Sequence, residues 1–274
     1  MRYRLAVVAA LAALSACRPT EESHMKAIIG AVLIDGLGGP PVTNSVVVTA
    51  GDKIRAAGPA STVPIPAEAD KIDGSGKFLV PGIVDVYDGS QAKVPGIVQL
   101  FQRDEAVIEK ARDDKAAIIG HVGTMGDVQW MLKNGATALV GMIRDTDNLD
   151  RDALSDLRNL RTPVAPMLLQ AGSSLAVAKR NTGVMFANGI QIALASGGGD
   201  PLREAELLSE ADIPALDVIV AATEHGAQAL HRTDIGAILP GRRADLLLVT
   251  GNPGADIRNL RKVAMRMLAG EIVH

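Results

Sequence analysis

The sequence predicts an α/β protein: a partial (β/α) barrel of the TIM type, with a composite β-sandwich made from the N- and C-terminal segments. In the middle of the chain, short β-branched runs alternate with amphipathic segments of helix length, a pattern typical of parallel strands joined by helices. At both ends, apolar runs are separated by Gly- and Pro-rich turns, and two or three such strands are marginal alone. With 274 residues and 47% hydrophobic composition, the chain can form one or two domains.

The first residues are typical of a bacterial lipoprotein signal. Arg2 and Arg4 precede an apolar stretch, residues 5–14, that is too short to span a bilayer. The Leu-Ser-Ala-Cys tetrapeptide that ends at Cys17 resembles a lipobox, in which the cysteine is lipidated. We expect a signal over residues 1–17, lipidation at Cys17 and a tether over residues 18–25. The alternative is an ordinary cleaved signal in which the cysteine is incidental.

This anchor also predicts the location of the protein. Arg18, instead of Asp, follows the cysteine, and by the rule for such lipoproteins this favours the outer membrane. We therefore expect a protein of the bacterial cell envelope that is held to the membrane by its lipid and faces the periplasm. The net charge is −3 and aromatic residues make up 2% of the chain, so nucleic acid is not expected as a partner.

The N-terminal part reads as a small sheet. Apolar strands are predicted at residues 26–34, 45–49, 54–58 and 78–80, with turns at Gly38-Gly39-Pro40-Pro41 and at Gly51. At the other end of the chain, residues 246–249 form an apolar run after the Pro240-Gly241 turn, and a last hairpin turns at Gly270.

The middle of the chain alternates between the two element types. Strands are predicted at residues 83–87, 116–122, 137–143, 164–169 and 190–196. Helical patterns cover residues 95–114, 126–134, 150–160, 175–188, 201–209 and 216–230. About five β/α units in ~150 residues are fewer than a whole barrel of ~250 residues needs.

Two phrases resemble the amidohydrolase superfamily, metal-dependent hydrolases that include imidazolonepropionases, dihydroorotases and prolidase-like enzymes. Residues 76–90 (GKFLVPGIVDVYDGS) are similar to the junction phrase G-x-x-x-x-P-G-x-I-D-x-H-x-H, and residues 236–249 (GAILPGRRADLLLV) to the phrase G-x-I-x-P-G-x-x-A-D-L-v-v-l. The resemblance implies a composite sandwich of residues 26–81 and 234–274 around an incomplete barrel of residues 82–233. It places a deletion between Tyr87 and Ala116, so a rearranged sheet or a homo-oligomer is expected to cover the open barrel edge.

The same resemblance implies where metal ligands would stand. The family uses two histidines on the first strand, often a carboxylated lysine, a histidine on each of strands five and six, and an aspartate on strand eight. Here Tyr87 and Gly89 take the first two places, His121 matches the fifth-strand histidine, and Gly141 falls near the sixth-strand place. The eighth-strand phrase, usually G-T-D-x-G, begins Ala-Ser-Gly at residues 195–197, with glycine at the aspartate place.

A substitute site is one interpretation of the remaining residues. In it, His121, Asp88 and Asp145 hold the metal and Asp200 is the catalytic residue, all near the C-terminal ends of predicted strands. The family uses zinc, whereas oxygen ligands favour Mn²⁺ or Mg²⁺. The other interpretation is that the aspartates cap helices and no metal is bound.

Two functions remain open from the sequence. The first is a hydrolase that acts on C–N bonds of amides or dipeptides through metal-activated water, as the resemblance implies. The second is an inactive, lipid-anchored binding or structural module derived from such an enzyme. In either case the expected partner is a small-molecule substrate or ligand.

Overall fold

A computed structural model describes residues 24–87, 95–146, 148, 149 and 151–273, so the predictions for Cys17 and Asp88 lie outside the described residues. The strands, in chain order, are β1 (Met25–Leu33), β2 (Val42–Ala50), β3 (Lys53–Pro59), β4 (Asp70–Asp73), β5 (Phe78–Pro81), β6 (Ile97–Leu100), β7 (Ala117–His121), β8 (Ala138–Val140), β9 (Val164–Ala165), β10 (Leu246–Val249), β11 (Val263–Leu268) and β12 (Glu271–Val273). The α-helices are α1 (Glu105–Asp113), α2 (Met125–Lys133), α3 (Arg151–Leu160), α4 (Leu175–Ala187), α5 (Pro201–Ser209), α6 (Ala215–Ala221) and α7 (Glu224–Ala229). Short 3₁₀ turns cover Leu168–Gln170, Gly172–Ser174 and Ile257–Arg261.

The two ends of the chain share one sheet. Its order is β12-β11-β10-β5-β1-β2-β3, with β4 paired to β1, and β5 meets β10 in antiparallel register with Leu79 opposite Leu248. The prediction that the terminal segments pair is confirmed. Side chains from both ends, including Ile28, Val47, Leu246 and Met267, fill a common buried cluster. The terminal segments therefore stabilise each other.

A second sheet contains the parallel strands β6-β7-β8-β9. Two extended segments continue it: Val164 of β9 forms a bridge with Ile192, and the Val86 amide donates to the Leu194 carbonyl at 2.9 Å. Residues 83–87 and 190–196 thus extend the sheet where strands were predicted, although they form single bridges and hydrogen bonds in place of regular strand ladders. Small side chains from six segments, among them Ala138, Ala165 and Ala193, are buried together inside the curved sheet. The α/β prediction is confirmed.

Two of the predicted helices are wrong in extent. Residues 95–114 were expected to be helical throughout, but Ile97–Leu100 is the strand β6, which pairs with β7 in the register Ile97 opposite Ala117. The helix begins only after Asp104, whose carboxylate accepts from the Val107 amide. A β-branched pair beside a buried parallel strand outweighs the local helical pattern, because the ladder satisfies its backbone groups.

The predicted helix 216–230 is two helices, α6 and α7. The chain breaks at Thr223, whose hydroxyl donates to the Ile219 carbonyl at 2.6 Å. The break brings Gly226 against the Val84 carbonyl, where a Cβ on the glycine would lie at 2.7 Å. Helix α7 therefore packs against residues 83–87. None of the helices in the described part of the chain is long and apolar enough to cross a membrane.

Candidate functional site

A cavity of about 590 Å³ opens at the C-terminal ends of the parallel strands, where barrel folds carry their chemistry. Strand β7 ends there at His121, and β6 leads into Phe101. Its wall combines three methionines with one aromatic ring and two guanidinium groups: Met131, Met142, Met167, Phe101, Arg103 and Arg144. The lining thus combines buried apolar side chains with charged groups, among them Asp127 beside the two arginines.

His121 is the predicted site residue that lines this cavity. Its Nε2 donates to the Gln99 amide oxygen at 2.7 Å. Its ring stacks on Phe101 with centroids 4.1 Å apart and meets the edge of Tyr87 at 4.7 Å. Burial lowers the pKa of His121 to about 4, so the imidazole is neutral at neutral pH. Tyr87, which the resemblance places at a ligand position, packs its ring against His121.

The two described aspartates of the predicted site have other partners. Asp145 accepts from the Met125 amide at 3.1 Å, in the first turn of α2. Asp200 caps α5 through the Leu202 amide at 2.9 Å and pairs with Arg261 at 2.7 Å. Burial acts to raise the pKa of Asp200, but the hydrogen bond and charge of Arg261, together with the backbone amides of α5, outweigh it and lower that pKa. Asp200 lines a different cavity, of about 660 Å³, next to the sandwich.

These residues do not form a metal site in the described part of the chain. No group of three or more His, Cys, Asp or Glu side chains there is arranged to hold an ion. Asp88 lies outside the described residues, so the full predicted set stays a prediction.

Two glycines at or near the ligand places that the resemblance implies differ in the room they leave for a side chain, because a Cβ would meet backbone at Gly141 and flexible side chains at Gly197. Gly141 follows β8 with φ +117°, and a Cβ there would lie 2.2 Å from the Val122 carbonyl oxygen. Gly197 has φ +60°, and a Cβ would lie 2.9 Å from Gln170 Cγ. Left-handed backbone disfavours any residue with a Cβ. A ligand-bearing side chain at Gly141 would require the main chain of two neighbouring strands to move.

The sequence analysis missed one buried acid, Glu204 in α5. It is fully buried and accepts the backbone amides of Leu168 and Leu169, each at 2.7 Å. Burial raises the pKa of Glu204 to about 7, although these two hydrogen bonds act to lower it. Glu204 therefore holds the turn that carries Met167 and Gln170 into the cavity wall. Its position on the apolar face of α5, beside Leu207 and Leu208, is a signal that could have identified it.

The sequence analysis also missed Gln99, Phe101 and Arg103. Their places depend on the strand β6, for which the sequence pattern predicts the start of a helix. As a strand, this segment ends next to β7, where Gln99 bonds His121 and the residues after the strand, Phe101 and Arg103, line the cavity.

The amidohydrolase family model matches residues 42–273 of the chain. The protein belongs to the amidohydrolase family. A comparison with curated proteins by sequence finds no match.

Solved structures of similar fold include ochratoxinase from A. niger, with TM-score 0.79 and 12% identity over 92% of this chain and 96% of the other. Molinate hydrolase matches with TM-score 0.75 and 13% identity over 92% and 95% of the two chains. A Xaa-Pro dipeptidase with methionine bound in its active site matches with TM-score 0.73 and 14% identity over 91% and 100%. At these identities the likeness shows the TIM-barrel-like fold alone.

Members of this family commonly depend on a metal, and the described residues do not fit one. A catalytic zinc needs about three protein ligands and an open position. Among the described residues at the strand ends, a single imidazole is present, hydrogen-bonded through Nε2 and in contact with two rings. The cavity is suited to holding a small molecule by contact, charge and hydrogen bonds.

Proposed function

We propose that this protein is a lipid-anchored binding module of the bacterial cell envelope, one that uses the amidohydrolase scaffold to hold a small molecule without hydrolysing it. The observation that carries the proposal is the backbone at Gly141, where a Cβ would meet the Val122 carbonyl at 2.2 Å. A ligand histidine at that place is incompatible with the way β7 and β8 continue beyond their ladder. The main chain at Gly141 therefore supports a site without a ligand histidine at that place.

The packing of His121 supports the same proposal. A metal ligand needs a free nitrogen aimed at an open position, and such nitrogens are usually oriented by a hydrogen bond on the other side of the ring. The Nε2 of His121 is hydrogen-bonded to Gln99, which leaves Nδ1, and within the described residues His121 belongs to no group of three or more side chains that could hold an ion. These contacts make His121 part of the cavity wall.

The experiment that tests the proposal measures metal and turnover on the same preparation. Elemental analysis should find well under one equivalent of zinc, and simple amides, lactams and dipeptides should not be hydrolysed in a chelator-sensitive way. Stoichiometric, tightly held metal together with chelator-sensitive hydrolysis would overturn the binding-module proposal.

The second candidate is a hydrolase of C–N bonds, which family membership favours. It would need the oxygen-rich set of Asp88, Asp145 and Asp200 around His121, and hence Mn²⁺ or Mg²⁺. It predicts activity that appears with one of these ions and disappears in His121→Ala. An Asp200→Asn variant tests the catalytic role in the same assay, since Asp200 is the proposed proton acceptor.

The anchor and the assembly are part of the proposal as well. Lipidation at Cys17 would leave only a few residues between the membrane surface and the start of β1 at Met25. A second copy of the chain is the proposed cover for the barrel edge, and sedimentation of the purified protein tests it.

A further inference from the structure

The cavity at the strand ends carries an unbalanced positive charge. Its charged lining groups are Arg103, Arg144 and Asp127. Arg103 Nη2 donates to Asp127 Oδ1 at 3.0 Å, so these two charges offset each other. The second oxygen of Asp127 accepts from the Thr124 hydroxyl at 2.8 Å and the Thr124 amide at 3.1 Å. Asp127 is therefore fully engaged at the start of α2.

Arg144 is the charge that remains. Within the described part of the chain its guanidinium makes no ion pair or side-chain hydrogen bond. The neighbouring carboxylate, Asp145, is directed to the Met125 amide. The guanidinium lies over Gly123, where an added Cβ would be 3.6 Å from Arg144 Nη2. Among the described residues, the five N–H donors and the full charge of the exposed Arg144 thus have no protein partner beside the cavity.

The rest of the wall is adapted to an apolar body. Phe101 is 49% exposed, a large open surface for an aromatic side chain. Met131, Met142 and Met167 line the depth of the cavity, and methionine adapts its shape to varied apolar groups. A volume of about 590 Å³ lies within the range of small-molecule sites.

We propose that this cavity binds a small organic monocarboxylate with an aromatic or branched apolar body. The carboxylate pairs with the Arg144 guanidinium, whose planar fork matches two oxygens. The apolar body packs on Phe101 and the methionines. The assignment rests on the proposed binding function and supplies its ligand class.

The test compares an acid with its uncharged amide. Hippurate (N-benzoylglycinate) and hippuramide share one shape and differ by the charge, and calorimetry measures the binding of each. We expect hippurate to bind saturably and at least ~10-fold more tightly than hippuramide, since a hydrogen bond to a charged group is worth more than a neutral one. Arg144→Gln should lower the affinity for hippurate to that for hippuramide and leave the affinity for hippuramide unchanged. Phe101→Ala should weaken the binding of both compounds, because it removes the aromatic surface that their ring contacts.

Arg158→Gln is the matched control, because Arg158 is an exposed arginine of α3 outside the cavity wall. It removes the same charge and should change neither affinity. Equal binding of the acid and the amide, equal effects of the two arginine variants, or no saturable binding of hippurate at millimolar concentration would each overturn the ligand assignment. Metal-dependent release of benzoate from hippurate would instead overturn the non-catalytic function, and an Arg144→Gln effect confined to KM would then still support the anion site.

Discussion

Substituting Gly141 by alanine should destabilise the fold far more than the same change at a glycine with free space. The φ of Gly141 is +117°, and its Cβ would lie 2.2 Å from the Val122 oxygen. Left-handed backbone alone costs an alanine roughly 1–2 kcal/mol, and relieving the contact by moving main chain adds roughly 1–3 kcal/mol of overpacking. Gly135, after α2, has φ +85° with nothing within 4 Å of the added Cβ, so it isolates the first cost.

Urea unfolding of the two variants measures the difference. We expect Gly141→Ala to lose about 2 kcal/mol more than Gly135→Ala, which at a slope of ~2 kcal/mol per molar urea lowers the midpoint by about 1 M more. Circular dichroism before denaturation should be the same for both. If Gly141→Ala were no worse than Gly135→Ala, the strand end would accept a side chain, and the main argument against a histidine ligand there would be lost.

Three further predictions follow from other parts of the chain. Cys17→Ser should release the protein from the membrane or leave it unprocessed, and a wild-type chain that is soluble and lacks acyl mass would contradict lipidation. A chain that ends at Ile235 should show no cooperative melting of its N-terminal strands, because it lacks the β10 partner of β5; melting at the wild-type temperature would contradict this. Because the pKa of Glu204 rises from 4.5 to about 7 on folding, the folded chain holds a proton that the unfolded chain releases, so stability should fall by roughly 3 kcal/mol as pH rises through this window. Glu204→Gln should flatten that part of the stability profile in unfolding series at several pH values, and an unchanged slope would refute the assignment.

Much of the fold could be predicted because its signals are local. The Pro240-Gly241 turn and the apolar run behind it identify β10 from residue types alone, and the structure pairs that strand with β5. The strand β6 could not be predicted, because four residues beside a helical pattern are ambiguous until a neighbouring strand supplies their hydrogen bonds.

The site was less predictable than the fold. The sequence pattern predicts that His121 lies at the end of a strand. It does not predict that Gln99 of β6 and Phe101, just after β6, contact His121. The helix-capping interpretation of Asp200 agrees with its hydrogen bond to the Leu202 amide. The lack of space for a Cβ at Gly141 depends on the distance between the ends of β7 and β8, and residue types do not predict that distance.

The pairing of β5 with β10 also means that the N-terminal strands are synthesised well before their partner strand. At roughly 5–20 residues per second, synthesis of the segment between them takes about 10 to 30 s. During this interval Val80 and its neighbours have an unpaired edge and an exposed apolar face, because their partners Leu247 and Leu248 do not yet exist. A chain that stops within the barrel would therefore leave an N-terminal sheet open to aggregation and to proteases. We therefore expect residues 26–81 to need the β10 strand for a stable fold, so that a chain interrupted before Leu246 is lost as a whole.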